Sequence, residues 1–312
     1  MGTTEGSCVR PLEIGFVAEV LEAPRYQHTP RWEEIRQNAL RAEEAGFDTV
    51  WIPDELLYKV EAWGGGHGFW ECVAVTGALA AVTSKIKIGT WVLSALHRNP
   101  GLTAKVAETL DEISGGRFVF GYGSGHAGAQ GKTYGYPEDM VVGRYEEALS
   151  IVVPALRDGF VDFAGEHFRA WQLEHRPRGP RPGSIPIMLA GHGPRTMRLA
   201  VESADIWSGF ATESSLPEAF ADMLDNLDIA CEKGHRDPLS LGRSIGVFVD
   251  MLGTSEAEEL GFGVPLSGSP QQVADAARQF AAMGVTHLEL AILNTNHDHM
   301  DLAGEVVRLL DS

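Results

Sequence analysis

Apolar, β-branched runs and amphipathic helical patterns alternate eight times along this chain, and that alternation restricts the fold more than any other feature. The runs fall at 14–20, 49–52, 86–93, 118–122, 185–190, 206–210, 245–249 and 287–293. Helical periodicity fills 30–45, 69–83, 99–114, 141–157, 194–203, 217–233, 269–283 and 299–310. Short continuous apolar runs are the signature of strands covered on both faces, and helices between them supply the crossovers of a parallel sheet. Eight such units predict a (β/α)8 TIM barrel. A chain of 312 residues is ordinary for such a barrel, so 1–312 is read as one domain, with 1–12 as a flexible tail and 158–184 as a small insertion before strand five.

Local signals support the frame. Asn99-Pro100 is an N-cap followed by a first-turn proline, Gly115 and Gly116 stop that helix, and Ser269-Pro270-Gln271-Gln272 is a capping box with Gly284 at the far end. In a barrel, function gathers on the loops that follow strands, and here these are the long ones: 53–68, 124–139 and 251–268. The insertion reads as a hairpin around Gly165, followed by a basic, proline-rich connector at 175–182.

Charge excludes several partners. With 25 Lys and Arg against 43 Asp and Glu the net charge is −18, which repels nucleic acid and anionic membranes. No apolar run is long enough to span a bilayer. Cys8, Cys72 and Cys231 form no paired spacing, which fits a reducing cytoplasm and neither a disulfide framework nor a zinc knuckle. His297-Asp298-His299 with Asp301 resembles a ligand set, yet strand one ends without the His-x-His of a metal-dependent barrel hydrolase. The expectation is therefore no metal, with Asp298 as a helix N-cap.

Two glycine-rich turns carry chemistry. Gly191-His192-Gly193-Pro194-Arg195-Thr196 follows strand five at Ala190 and opens a helix, so its free amides and the Arg195 and Thr196 side chains make a candidate phosphate site. Gly121-Tyr122-Gly123-Ser124-Gly125 ends strand four. It is not a dinucleotide fingerprint, because no helical pattern begins before 141; it fits a backbone that lets a planar ring lie close. Glu55, His67, His97, His126 and His192 are the titratable groups on loops after strands.

The stretch 85–128 resembles the bacterial luciferase-like superfamily of flavin- and deazaflavin-dependent oxidoreductases. His97-Arg98-Asn99-Pro100, the Ser114-to-Arg117 turn and Gly121-to-Gly123 carry the resemblance. It continues through 45–48, Pro53-Asp54, 191–195 and 268–270. The resemblance implies hydride transfer between a small organic substrate and the deazaflavin coenzyme F420. It places the ring between Trp91, Val92 and Leu93 and the Tyr122-to-Gly125 turn, with a non-prolyl cis peptide near Trp91. The phosphate would lie on Gly191 to Thr196, and Asp54 would belong to the cofactor site. Members often place His after the strand-two Asp and Glu after the Gly-x-Gly turn; here Glu55 and His126 stand there with the types exchanged, and they are the acid/base candidates. The family often forms homodimers. Two alternatives stay open: an FMN- and oxygen-dependent monooxygenase, which would need a separate cofactor reductase, and a non-catalytic flavin- or deazaflavin-binding protein.

Overall fold

Eight parallel strands close into a ring: Glu13–Val17, Thr49–Ile52, Lys87–Thr90, Phe118–Gly123, Ile187–Ala190, Ile206–Phe210, Gly242–Asp250 and His287–Ile292. Strand one pairs with both strand eight and strand two, and strand four pairs with strand five, which leaves no open edge in the barrel. The computed structural model describes residues 10–22, 28–126, 128–211, 213–253, 261, 263–293 and 295–312.

Each expected apolar run overlaps a barrel strand, and the run at 86–93 shows how the bounds come to differ. The run at 86–93 stops pairing at Thr90; the Trp91–Val92 peptide is cis, and Leu93–Ser94 resumes alongside Tyr122 and Gly123. Of the expected tail, residues 1–9 lie outside the described residues. The remainder is packed: Leu12 is buried, and Arg10 donates to Asp48 at 2.7 Å and to Asp311 at 2.8 Å. Part of the loop after strand seven (254–260 and 262) also lies outside the described residues.

Trp51 fills the middle of the barrel. Its indole lies so close to strand three that a Cβ at Gly89 would collide with it, and a Cβ at Gly15 on strand one would collide with both the indole and Glu289. Beside it Glu289 is fully buried, accepts from Ser244 at 3.0 Å, and is pushed up to about 8 by burial.

The Ser-Gly-Gly-Arg turn has a structural task. Gly115 and Gly116 sit at φ +64° and +85°, the left-handed conformation that ends the helix Pro100–Ser114. Arg117 then donates to the carbonyls of Ser114 (2.8 Å), Ala80 (2.8 Å), Thr83 (3.1 Å) and Ile86 (2.6 Å). One guanidinium therefore satisfies the carbonyl ends of two helices, Cys72–Val82 and Pro100–Ser114, where their dipoles favour a cation.

The insertion is a hairpin, Phe160–Ala164 with Arg169–Glu174. Glu147 holds its tip through the amides of Glu166, His167 and Phe168 at 2.8–2.9 Å. The basic connector runs along the third helix, where Arg178 and Gly179 bond to Glu108 and Arg181 pairs with Asp111. At the last helix, His297–Asp311, the N-cap is Asn296, which accepts from the His299 amide at 3.1 Å. The expectation of Asp298 as N-cap is corrected: it lies inside the first turn, because Asn two residues earlier presents a side-chain oxygen to the same free amides. Among the described residues no group of three or more His, Cys, Asp and Glu is placed to hold a metal, and no helix is long and apolar enough to cross a membrane.

Candidate active site

The loop after strand two is built on Asp54. Its side chain is fully buried and accepts from the Ser94 amide (2.8 Å), His97 Nδ1 (3.2 Å), and Arg98 through Nη1 (2.7 Å) and Nη2 (2.9 Å). Burial pushes this carboxyl up, but the His97 and Arg98 hydrogen bonds outweigh it and hold the group down at about 2. Asp54 thus ties strand two to the turn after strand three and directs no oxygen toward open space. The His-Arg-Asn-Pro turn is explained by the same bonds, with Asn99 capping the next helix through the amides of Gly101 and Leu102.

Glu55 and His126, from loops after strands two and four, meet at the barrel mouth. His126 Nδ1 lies 3.6 Å from Glu55 Oε1. A third residue joins them: Gln130 accepts from the Leu56 amide at 2.9 Å, donates to Glu55 Oε2, and places Nε2 3.3 Å from His126 Nε2. Burial pushes the Glu55 carboxyl above its ordinary range, against the pull of His126 and Gln130. The Tyr58 hydroxyl also bonds Glu55 and is pushed far up by burial and by that carboxylate. His67 bonds the Trp63 carbonyl at 3.1 Å inside the hairpin Leu57–Val60 with Gly65–Gly68. His97 is buried between Asp54 and Tyr136, with ring centroids 4.9 Å apart. Neither is as exposed as His126.

The glycines of strand four are occupied by the chain itself. A Cβ at Gly121 would collide with the Thr90 carbonyl, one at Gly123 would come within 2.7 Å of Val92, and one at Gly125 would strike Ser94. Strand four approaches the Trp91–Val92 turn and Ser94 too closely to carry side chains at these positions. Leu93 and Tyr122 pair with each other at these strand ends. Both are fully buried, and alternation turns Tyr122 outward, where it packs on Phe120 (5.3 Å) and Tyr145 (5.5 Å). Trp91 and Val92 remain partly exposed. Trp91 reaches across the barrel, edge-on to Phe210 at 5.6 Å, and covers the interior below the mouth. Ser124 bonds the Gly125 carbonyl at 3.0 Å.

The turn after strand five has the expected outline, and two of its side chains are engaged within the chain. Pro194 begins the helix Pro194–Ser203, leaving the first-turn amides of Arg195 and Thr196 without a helical acceptor. Gly191, at φ +153°, has no room for a Cβ beside Thr196, whereas the space at Gly193 is open. The Thr196 hydroxyl turns back to the Gly193 carbonyl at 3.0 Å, and Arg195 and Arg198 share Glu146. His192 Nε2 accepts from the Phe210 amide at 3.1 Å, a bond only the neutral ring can accept, and burial lowers its pKa in the same direction. Ala190, half-buried, ends the strand below this turn.

Gln130, Tyr58 and Glu19 escaped the sequence reading. Glu19 continues the inward parity of Gly15 and Val17 past the end of strand one. The Thr295 amide holds it at 3.0 Å, and burial pushes it up to about 7. Its parity was a usable signal. Gln130 offered none beyond its place four residues after His126.

Residues 12–259 match the family described as luciferase-like monooxygenase, and the chain belongs to that family. Relatives include the 5,10-methylenetetrahydromethanopterin reductase of Archaeoglobus fulgidus, 30% identical over 203 residues that cover 65% of this chain and 56% of that protein. They also include the pyrimidine monooxygenase RutA of Agrobacterium fabrum, 33% identical over 241 residues covering 74% and 64%. Each match spans less than two thirds of the relative's length. Among solved structures, an F420-dependent secondary alcohol dehydrogenase in complex with an F420-acetone adduct superimposes with a TM-score of 0.78 at 17% identity, covering 96% of this chain and 99% of that one. A riboflavin lyase with modified FMN superimposes at 0.79 and 15%, covering 96% and 91%. These likenesses establish the barrel.

Proposed function

We propose that the protein is an oxidoreductase that moves hydride between a small organic substrate and the deazaflavin coenzyme F420. The observation that carries this reading is the Glu55–His126 pair, held 3.6 Å apart at the barrel mouth with Glu55 raised by burial. Interconversion of an alcohol and a carbonyl needs one proton moved for each hydride, and a carboxyl raised by burial beside an imidazole suits that exchange. Reductase and dehydrogenase relatives support the same chemistry.

The residues present fit such a cofactor at its phosphate end. The first-turn amides of Arg195 and Thr196 and the room beside Gly193 form an anion cradle at a helix N-terminus, with Arg195 and Arg198, both paired with Glu146, on the same helix. When bound, the deazaflavin supplies the hydride acceptor or donor. The chain's own work is to hold the phosphate at this turn, cover the barrel interior with Trp91 and Phe210, and carry the proton on Glu55 and His126.

A second reading, a monooxygenase using reduced FMN and oxygen, is favoured by the pyrimidine monooxygenase relatives and would bring in a separate reductase. Substitution of Glu55 tests the proton transfer on which the first reading rests. Under the proposal Glu55→Gln lowers F420-dependent turnover across an alcohol and aldehyde panel by roughly a hundredfold while leaving cofactor affinity nearly unchanged. Near-native turnover in that variant removes the proton-transfer role.

A further inference from the structure

We infer that Gln130 is the positioning residue that fixes the tautomer of His126, keeping the imidazole proton on Nδ1, facing Glu55. The inference rests on the proposed role of the Glu55–His126 pair only for its effect on turnover; the tautomer follows from the hydrogen bonds alone.

The orientation of the Gln130 amide is decided by the backbone. Leu56 N–H can only donate, so the Gln130 atom 2.9 Å from it is the carbonyl oxygen. The amide nitrogen therefore points the other way, with two protons to give. One goes to Glu55 Oε2, and the other is directed at His126 Nε2, 3.3 Å away. A ring nitrogen facing a donor must be the acceptor, so in the neutral imidazole the proton resides on Nδ1. That nitrogen is the one 3.6 Å from Glu55 Oε1. A buried amide thus makes the mobile proton lie between the two titratable groups instead of facing solvent.

The other charged or titratable groups around the pair are Tyr58 on the hairpin, which bonds Glu55, and Asp54 and His97, which bear on Glu55 electrostatically with opposite signs. None of them touches His126 Nε2 in the described contacts; the Tyr58 ring lies 6.4 Å from the imidazole, centroid to centroid. Gln130 is 3% exposed, so water does not readily replace its amide.

The test is 15N NMR of the histidine side chains in the whole protein, with Gln130→Met and Gln130→Glu as variants and His126→Asn to assign the signal. At a pH where His126 is neutral, the native protein should show pyrrole-type Nδ1 and pyridine-type Nε2. Gln130→Glu retains an acceptor for Leu56 but presents a carboxylate to Nε2, so it should move the proton onto Nε2; Gln130→Met should release the preference for Nδ1. Circular dichroism of both variants confirms that the barrel is intact, and either folded variant suffices. A native ring protonated on Nε2 overturns the inference, as does an Nδ1–H tautomer unchanged in the folded variants. If the tautomer shifts as expected, turnover should fall on the order of tenfold with a displaced pH profile. A tautomer shift with turnover and profile unchanged upholds the positioning of His126 and contradicts the proton-transfer role of the pair.

Discussion

Arg98 grips Asp54 with both terminal nitrogens, at 2.7 and 2.9 Å, and its Nη2 also reaches Glu71 Oε1 at 2.5 Å. This fork spans the ends of strands two and three and the start of the second helix, so the geometry beside Glu55 is fixed by a charge pair whose carboxylate is sealed from water.

The first prediction follows from that seal. Asp54→Asn leaves Arg98 half-buried with only one carboxylate, and should cost ~3 kcal/mol in denaturant unfolding at neutral pH. The native carboxyl lies at about 2 against an ordinary 3.8, so its contribution is fully present above pH 4 and is lost as pH falls through 2. The variant should show a flatter loss of stability across that acid window. An unchanged acid limb would assign the stabilisation elsewhere.

The second prediction separates the two glycines of the strand-five turn. Gly193 has open space and φ −80°, so Gly193→Val should melt like the native protein while weakening cofactor binding by roughly tenfold, with Arg195→Ala acting in the same direction. Gly191→Ala meets Thr196 at φ +153° and should instead lower the melting temperature. Calorimetric titration and thermal unfolding of the three variants decide it; native affinity in Gly193→Val and Arg195→Ala would remove the phosphate site from this turn.

The third concerns Glu289, raised from 4.5 to about 8. The folded state holds this proton more tightly than the unfolded chain, so its contribution is complete below pH 4.5, declines as pH rises, and is gone above pH 8. Glu289→Gln removes the ionisable group, so its stability relative to native should improve by ~2 kcal/mol or more between pH 6 and 9. A difference that does not vary with pH would mean that the native carboxyl is not raised.

The barrel was legible because its strands are continuous apolar runs and its helices carry explicit caps such as Asn99 and Ser269. The site was legible only in part. Glu55 and His126 were placed by their loops, and the structure brings them together. Strand parity contained the direction of the Tyr122 side chain, since Val119 faces the barrel and Phe120 and Tyr122 must face outward. The close contacts of Gly123 with Val92 and of Gly125 with Ser94 could not be read from sequence, because nothing in the order of residues brings those side chains against the glycines. Gln130 sits in a six-residue helix, Ala129–Tyr134, flanked by Gly128 and Gly135 and read from sequence as loop, so nothing suggested a buried amide.

The most direct measurement of the central claim is a side-by-side calorimetric titration of the cofactor-free protein with F420 and with FMN. The account predicts micromolar-scale binding of the deazaflavin, tighter than FMN by at least about tenfold, or roughly 1.4 kcal/mol. Tighter binding of FMN, accompanied by oxygen consumption when reduced FMN is supplied, would contradict it.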